Sequence, residues 1–303
     1  MTTVSVPEDG WVEDLAPAPD GVELVPWDLE GPPPRSDIEV VVPPYLGDRG
    51  RLARLADLPR LRLVQTLTAG YEDVLPYLPG GVALANAAGV HDASTAELAV
   101  ALALASLRRL PEHVRSQEAG QWRPEFGRSL ADRRVLLVGY GGVGRAVSRR
   151  LAGFEVEVTP VASRARDGVH GVDELPDLLG AHDVVILTVP LTDDTRGMVD
   201  AGFLAALPDG ALVVNVARGG VVDSVALLAE LASGRLTAAV DVSDPEPLPA
   251  GHPLWDQPGL LLTPHVGGAS SAFRPRAVAL LRGVVEDLAA GRPVANIVVA
   301  GRE

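Results

Sequence analysis

The sequence predicts an α/β protein of two domains, the larger built on a doubly wound parallel sheet. Three observations point there. The chain has 303 residues, two domains' worth at roughly 150 residues each. Its second part alternates strand-length apolar runs with helical stretches, the pattern of a parallel sheet covered on both faces. A glycine triplet at 139–144 stands directly between the first of those runs and a helix.

The first third reads as short strands at 3–6, 22–25, 38–42, 61–67 and 82–85, with a helix fitting 49–56. Nine of the 26 prolines fall in the first 50 residues, among them Pro32–Pro34 and Pro43–Pro44. They punctuate the layer, because proline neither continues a helix nor pairs in a central strand. The alanine- and leucine-rich stretch 95–110 reads as a helix apolar on nearly every face, expected to be buried all round and to cross into the second domain. There, strands are expected at 135–138, 156–161, 184–189, 212–216, 238–242 and 260–262, with helices such as 143–151, 201–207 and 225–232 between them. An amphipathic helix over 276–290 is expected to return to the first domain. No internal repeat or low-complexity segment is visible.

Composition narrows the function. Hydrophobic residues make up 47% and charged residues 22%, which excludes wholesale disorder. Forty acidic against 26 basic residues give a net charge of −14, a surface that repels phosphate backbones and anionic lipid, so neither nucleic acid nor membrane is an expected partner. Cysteine is absent, which removes disulfides, thiolate nucleophiles and Cys-ligated metal clusters; no metal is expected. Lysine is absent too, all 26 basic residues being arginine, so a Schiff base or a phosphate-loop lysine is impossible. That bias reads as base composition of the gene rather than mechanism. Residues 1–10 lack the basic region and apolar core of a secretory signal. The apolar run 98–107, flanked by Glu97 and Arg108, falls short of the ~18 residues that span a bilayer. A cytoplasmic protein is expected.

The sharpest local signal is Gly139-Tyr140-Gly141-Gly142-Val143-Gly144, a G-x-G-x-x-G between strand and helix. There Gly139 permits the tight turn, Gly141 lets the backbone approach a pyrophosphate, and Gly144 allows close helix–strand packing. A bare strand–helix turn would explain the triplet alone; the strand–helix units that follow favour a dinucleotide. The next strand ends not in a carboxylate for a ribose 2′-hydroxyl but in Ser163-Arg164-Ala165-Arg166, with Glu155 and Glu157 too early to serve. Guanidinium groups pair with a 2′-phosphate, which favours NADP(H) over NAD(H). The alternative is a solvated arginine pair. Three further polar residues stand beyond expected strand ends, where ligands bind open α/β sheets: Arg218 in NVARGG, Glu246 in DVSDPEP and His265 in TPHVGG. Together they suffice for carbonyl reduction beside a nicotinamide. Taken singly, Arg218 could pair with Asp223, and Glu246 could be a solvated loop acid.

With Pro190-Leu191-Thr192 and Thr195, these motifs stand in the order and spacing of the D-isomer-specific 2-hydroxyacid dehydrogenase family, which the chain resembles from about Leu61 onward. The resemblance implies a Rossmann domain, 97–272, inserted into a smaller flavodoxin-like substrate domain, 1–96 with 273–303, and a substrate cleft between them. It implies that Arg218 holds the substrate carboxylate and polarises the carbonyl, that His265 is the general acid in reduction and base in oxidation, and that Glu246 orients His265. Substrate carboxylate contacts are expected from the backbone of Ala69 and Gly70, in Leu67-Thr68-Ala69-Gly70-Tyr71. The expected cofactor contacts are Thr95, Gly139, Gly141, Gly142, Val143, Gly144, Ser163, Arg164, Arg166, Pro190, Thr195, Ala217, Asp241 and Gly267, with Asp241 meeting the nicotinamide carboxamide. Glu97 matches the same crossover segment, or is a buried structural carboxylate.

Ser243 stands where the family often has an aromatic residue and Gly259 where it often has Asn; both bear on substrate fit rather than reaction type. Formate dehydrogenases of the superfamily replace the acid of the Glu–His pair with Gln, and the phosphite-oxidising branch uses a lysine, so Glu246 and the missing lysine speak against both. The implied activity is NADPH-favouring reduction of a small 2-keto acid such as glyoxylate or hydroxypyruvate, in a homodimer formed through the cofactor domain. The alternative is a cofactor-sensing binding protein of the same fold with little turnover, like the C-terminal-binding corepressors.

Overall fold

The computed structural model describes residues 1–45 and 47–301, so the last two residues of the expected return segment 273–303 lie outside it. The chain divides into two compact units, Met1–His91 with Ser271–Glu303, and Asp92–Ser270.

The first unit opens with β1 (Thr2–Val6), α1 (Asp9–Leu15), β2 (Val22–Pro26) and β3 (Ile38–Val41). After a run of 3-10 turns at Arg49–Asp57 come β4 (Leu63–Gln65) and β5 (Ala83–Ala85). These strands are parallel, in the order β2-β1-β3-β4-β5. Their residues are buried on both faces: Val4, Val6, Val40 and Leu63 pack in one cluster, Ile38, Val41, Val64 and Leu84 in another, which is why the runs are nearly all apolar. Pro26 is tolerated because β2 is an edge strand.

The second unit begins with α2 (Asp92–Leu107) and α3 (Leu110–Glu118). Then follow β6 (Arg134–Val138), α4 (Gly142–Leu151), β7 (Glu157–Ala162), β8 (His170–Gly171), α5 (Leu175–Leu178), β9 (Val184–Leu187) and α6 (Ala201–Ala205). The unit closes with β10 (Leu212–Asn215), α7 (Ser224–Ser233), β11 (Thr237–Val240) and β12 (Leu260–Leu262). All seven strands are parallel, in the order β12-β11-β10-β9-β6-β7-β8. Strand order reverses between β6 and β9, the place where doubly wound sheets bind ligands. Side chains alternate between two cores, Leu136, Val185 and Val213 on one face and Val135, Val184 and Leu212 on the other. The chain then returns through α8 (Phe273–Ala289) to β13 (Ile297–Val299), antiparallel to β5 at the edge of the first sheet.

Some expectations change. The crossover helix starts at Asp92 and stops at Leu107, because Arg109 takes the left-handed conformation (φ 54°) and α3 starts afresh at Leu110. It is not buried all round, since Glu97 and Ala101 are exposed. The stretch 49–56 forms 3-10 turns rather than an α-helix. No described helix is long and apolar enough to cross a membrane.

Candidate active site

The glycine triplet lies at the β6/β9 reversal. Gly139 has φ 102°, and a Cβ there would stand 2.7 Å from the Thr188 carbonyl carbon, so only glycine lets this turn pass beneath the residue that follows β9. Thr188 seals the approach, its hydroxyl donating to the Gly139 carbonyl at 2.7 Å. A Cβ on Gly144 would overlap the same carbonyl. Gly141 is different, being exposed with nothing within 4 Å of where its Cβ would be. It is the N-cap of α4, and no side chain caps that end. The space around Gly141 is open, the Asp92 side chain packs on Gly142, and no side chain caps the first turn of this ten-residue helix, whose uncapped N–H groups are the arrangement that receives a pyrophosphate.

Ser163 is the first residue beyond β7, followed by exposed Arg164 and Arg166. Arg166 donates to the Tyr140 carbonyl at 3.3 Å and stands 6.0 Å above the Tyr140 ring, so one guanidinium is held over the glycine loop. Arg145 of α4 donates to the same carbonyl at 3.2 Å. Glu157 is the first residue of β7 and Glu155 precedes it, both at the far end of the strand. Pro190 and Thr195 share one tight loop, the Thr195 hydroxyl bonding the Pro190 carbonyl at 2.6 Å.

Arg218, Glu246 and His265, the trio expected to act on the substrate, sit beyond β10, β11 and β12. His265 Nδ1 lies 2.5 Å from Glu246 Oε1, and among the described residues its Nε2 has no partner. Burial works to raise the Glu246 carboxyl pKa. The hydrogen bond and charge of His265, a bond from the Ser243 backbone and the charge of Arg218 outweigh it, so the carboxyl is held below its ordinary range. Arg218 is thus near enough for its charge to be felt. Its guanidinium bonds the Ala217 carbonyl at 2.7 Å, while the buried Asn215 side chain accepts from Ala217 N and donates to the Arg218 carbonyl. Asp223, the alternative partner for Arg218, caps α7 by accepting from Val225 N and Ala226 N. A Cβ on Gly219 would overlap the Ser243 carbonyl, so glycine lets the Arg218 and Glu246 loops meet.

Asp241, 3% exposed, carries the loop that bears His265. Its Oδ1 accepts from Thr263 Oγ1 at 2.6 Å and Val266 N at 2.8 Å, and its Oδ2 from Gly267 N at 2.8 Å. Its carbonyl accepts from His265 N at 2.7 Å. This clamp holds His265 in a left-handed conformation, φ 52°, a conformation that costs free energy for a residue with a Cβ and so needs enforcement. Gly267 packs against Thr95, whose Oγ1 would lie 3.4 Å from an added Cβ. Glu97 is not a buried carboxylate: it is exposed and pairs with Arg150 at 3.0 Å.

In the first unit, the loop after β4 has its carbonyls engaged. Thr68 Oγ1 donates to the Gly70 carbonyl at 2.7 Å, Asn86 Nδ2 to the Ala69 carbonyl at 2.6 Å, and Ala87 N to the Thr68 carbonyl at 2.9 Å. Among the described residues no acceptor takes the N–H of Ala69 or Gly70, which suits them to a carboxylate. His91 bonds the Leu67 carbonyl at 2.7 Å and stacks on Tyr45 and Phe273. Among the described residues no group of His, Asp or Glu could hold a metal ion.

The family model for the D-isomer specific 2-hydroxyacid dehydrogenase, NAD binding domain, matches residues 100–267. The chain belongs to this family. The mouse glyoxylate reductase/hydroxypyruvate reductase is 33% identical over 86% of this chain and 85% of its own. A D-isomer specific 2-hydroxyacid dehydrogenase from Xanthobacter autotrophicus Py2, solved with NADPH and MES, is 31% identical with TM-score 0.79, covering 98% of this chain and 97% of that one. An NADPH-dependent glyoxylate/hydroxypyruvate reductase from Sinorhizobium meliloti, solved with NADP and sulfate, is 28% identical with TM-score 0.82, covering 98% of both. The expected fold, a Rossmann doubly wound sheet with a second α/β domain, is the fold of this dehydrogenase.

Sequence reading missed the Asp241 clamp, the Asn215 brace, Arg145 and the His91 stack. The first had a visible signal: an Asp closing one strand and a Thr-Pro-His closing the next, in adjacent parallel strands, bring carboxylate and backbone amides together. The Asn215 brace and the Arg145 contact are local but depend on how the loops beyond β10 and β6 turn, and the His91 stack joins residues far apart in the chain.

Proposed function

We propose that the protein is an NAD(P)-dependent reductase of small 2-keto acids, using NADPH by preference and taking glyoxylate and hydroxypyruvate as its first substrates. The observation that carries this reading is the 2.5 Å Glu246–His265 contact with Arg218 beside it at the strand ends. The cofactor, when bound, supplies the hydride that reaches the substrate's carbonyl carbon. Glu246 accepts from Nδ1–H of His265 and so fixes the tautomer and the ring. Nε2 then gives its proton to the carbonyl oxygen during reduction, leaving the neutral Nδ1–H imidazole, and takes it back during oxidation. Arg218 pairs with the carboxylate and stabilises negative charge developing on the oxygen.

The second unit provides these groups and the dinucleotide seat; Asp241 also serves the nicotinamide carboxamide, with Ala217, Thr95 and Gly267 lining the same side. In the first unit, the N–H groups of Ala69 and Gly70, which no acceptor among the described residues takes, suit a substrate carboxylate. In this reading 97–272 is the dinucleotide-binding domain and 1–96 with 273–303 the substrate domain. Arg164 and Arg166 favour a 2′-phosphate, and the NADPH dependence of the S. meliloti reductase supports the same preference.

The protein works as a cytoplasmic homodimer. Supporting self-association, Leu110, Val114, Trp122 and Phe126 form an exposed apolar run in and beyond α3, of the kind that marks an interaction surface; sedimentation at a mass of one chain would refute the dimer.

The test is the loss of NADPH or NADH absorbance with glyoxylate, hydroxypyruvate, pyruvate and bulkier 2-keto acids, with the chiral products, those of every substrate but glyoxylate, resolved on a chiral column. Turnover with NADPH and a D-product is expected. Tight cofactor binding without turnover on any keto acid would overturn the reductase and leave the cofactor-sensing protein.

A further inference from the structure

The carboxylate of Asp92 sits at the dinucleotide seat itself. Asp92 is the first residue of α2, and its side chain packs on the Cα of Gly142, the first residue of α4. A Cβ on Gly142 would stand 2.9 Å from Asp92 Oδ1 and overlap Oδ2. The position is one of the three unspecified places of G-x-G-x-x-G, where the phosphate turn itself has no need of glycine, and its φ is not positive. The glycine at 142 is therefore explained by the carboxylate it accommodates.

Two helix N-termini meet this one anion. Asp92 lies in the first turn of α2, and its carboxylate rests against the first residue of α4; the positive end of each helix dipole attracts it. Yet among the described residues it makes no hydrogen bond and no ion pair. A carboxylate held by field and packing alone, on a side chain with two rotatable bonds, can be moved aside at little cost.

We propose that Asp92 is a built-in anion at the pyrophosphate seat, which the dinucleotide must push away from Gly142 in order to bind. The proposal rests on the reading of this turn as the cofactor site. Asp92 is a positioning residue: it weakens cofactor binding and speeds release of the spent dinucleotide, a step that often limits turnover in such enzymes. A unit charge about 5 Å from a pyrophosphate, at the high effective dielectric of a half-exposed site, changes affinity about three- to tenfold. Screening by salt removes most of that.

The experiment is titration of the full chain with NADPH, followed by nucleotide fluorescence, and with inorganic pyrophosphate, followed by calorimetry, for wild type, Asp92→Asn, Gly142→Ala and the double variant. At low ionic strength Asp92→Asn is expected to lower the Kd for both ligands about three- to tenfold, with a slower NADP⁺ off-rate in stopped flow. The gap is expected to close in ~0.5 M salt. In the Gly142→Ala background, where the methyl already displaces the carboxylate, Asp92→Asn should give no further gain. An Asp92→Asn variant that binds NADPH no tighter than wild type, or whose gain persists in full beside Gly142→Ala, would overturn the proposal while leaving the cofactor site intact. Wild-type protein that binds neither NADPH nor NADH would overturn the cofactor reading itself.

Discussion

Replacing Asp241 with Asn tests whether the left-handed His265 is held by the clamp beneath it. The carboxylate is 3% exposed and accepts three hydrogen bonds, at 2.6, 2.8 and 2.8 Å, from one hydroxyl and two backbone N–H groups. Asparagine keeps the shape but turns one oxygen into a donor, which must face a donor whichever way the amide is placed. One charge-assisted bond is lost and a buried donor is left unpaired, together about 2–4 kcal/mol. At about 2–4 °C per kcal/mol for a domain of this size, the melting temperature should fall by about 4–16 °C. Releasing His265 from φ 52° displaces its ring relative to Glu246, and a displacement of ~1 Å costs on the order of 100-fold in rate. The assay is paired: thermal unfolding by circular dichroism, and kcat with saturating NADPH. A variant that melts with wild type and keeps its kcat would refute the clamp. One that only raises KM for the cofactor would show that Asp241 serves the nicotinamide alone.

Three other outcomes follow from the same site. Arg218→Lys keeps a charge but loses the planar fork that pairs with a carboxylate, so kcat/KM for keto acids should fall about 10²- to 10³-fold while NADPH binding, read by fluorescence, is retained. Arg164→Ala with Arg166→Ala should weaken NADPH about tenfold or more and leave NADH nearly unchanged; equal losses for both cofactors would contradict the 2′-phosphate role. Glu246 has its folded pKa depressed from an ordinary value of about 4.5, so the stability it contributes is fully present above that value and is lost as pH falls through the lower folded one. With both side chains about two-fifths exposed, that contribution is at most about 1 kcal/mol. The melting-temperature gap between wild type and Glu246→Gln should stay flat at neutral pH and shrink below about pH 4.5; a gap that widens there would contradict the shift.

What could be read from the sequence and what could not divide along physical lines. The strand runs of the second unit were legible because a sheet buried on both faces must be apolar at consecutive positions, and the turn 139–144 because Gly139 and Gly144 each answer a steric demand between strand and helix while Gly141 leaves the turn open. Ser163 and the arginines could be placed because strand ends are fixed by composition to within a residue or two. By contrast, the break before α3 was hidden at the end of the alanine- and leucine-rich run 95–110, which stops only because Arg109 turns left-handed. The two-residue β8 is too short to show a period, and the antiparallel β13 exists through pairing with the distant β5, which leaves no local signal. Glu97 looked internal because its neighbours are apolar, but it falls on the one face of α2 where Arg150 meets it at 3.0 Å. Asp241 was visible as a strand-end acid; that both its oxygens hold the next strand's loop needed the register of β11 beside β12.

The most direct test of the central claim is His265→Asn, with kcat/KM for hydroxypyruvate measured beside the NADPH Kd. Removal of a positioned general acid should lower kcat/KM about 10²- to 10⁴-fold and leave the Kd within about twofold, since the dinucleotide seat at 139–144 makes no use of that ring. A His265→Asn protein that reduces hydroxypyruvate within tenfold of wild type would contradict the assignment of the proton to this histidine.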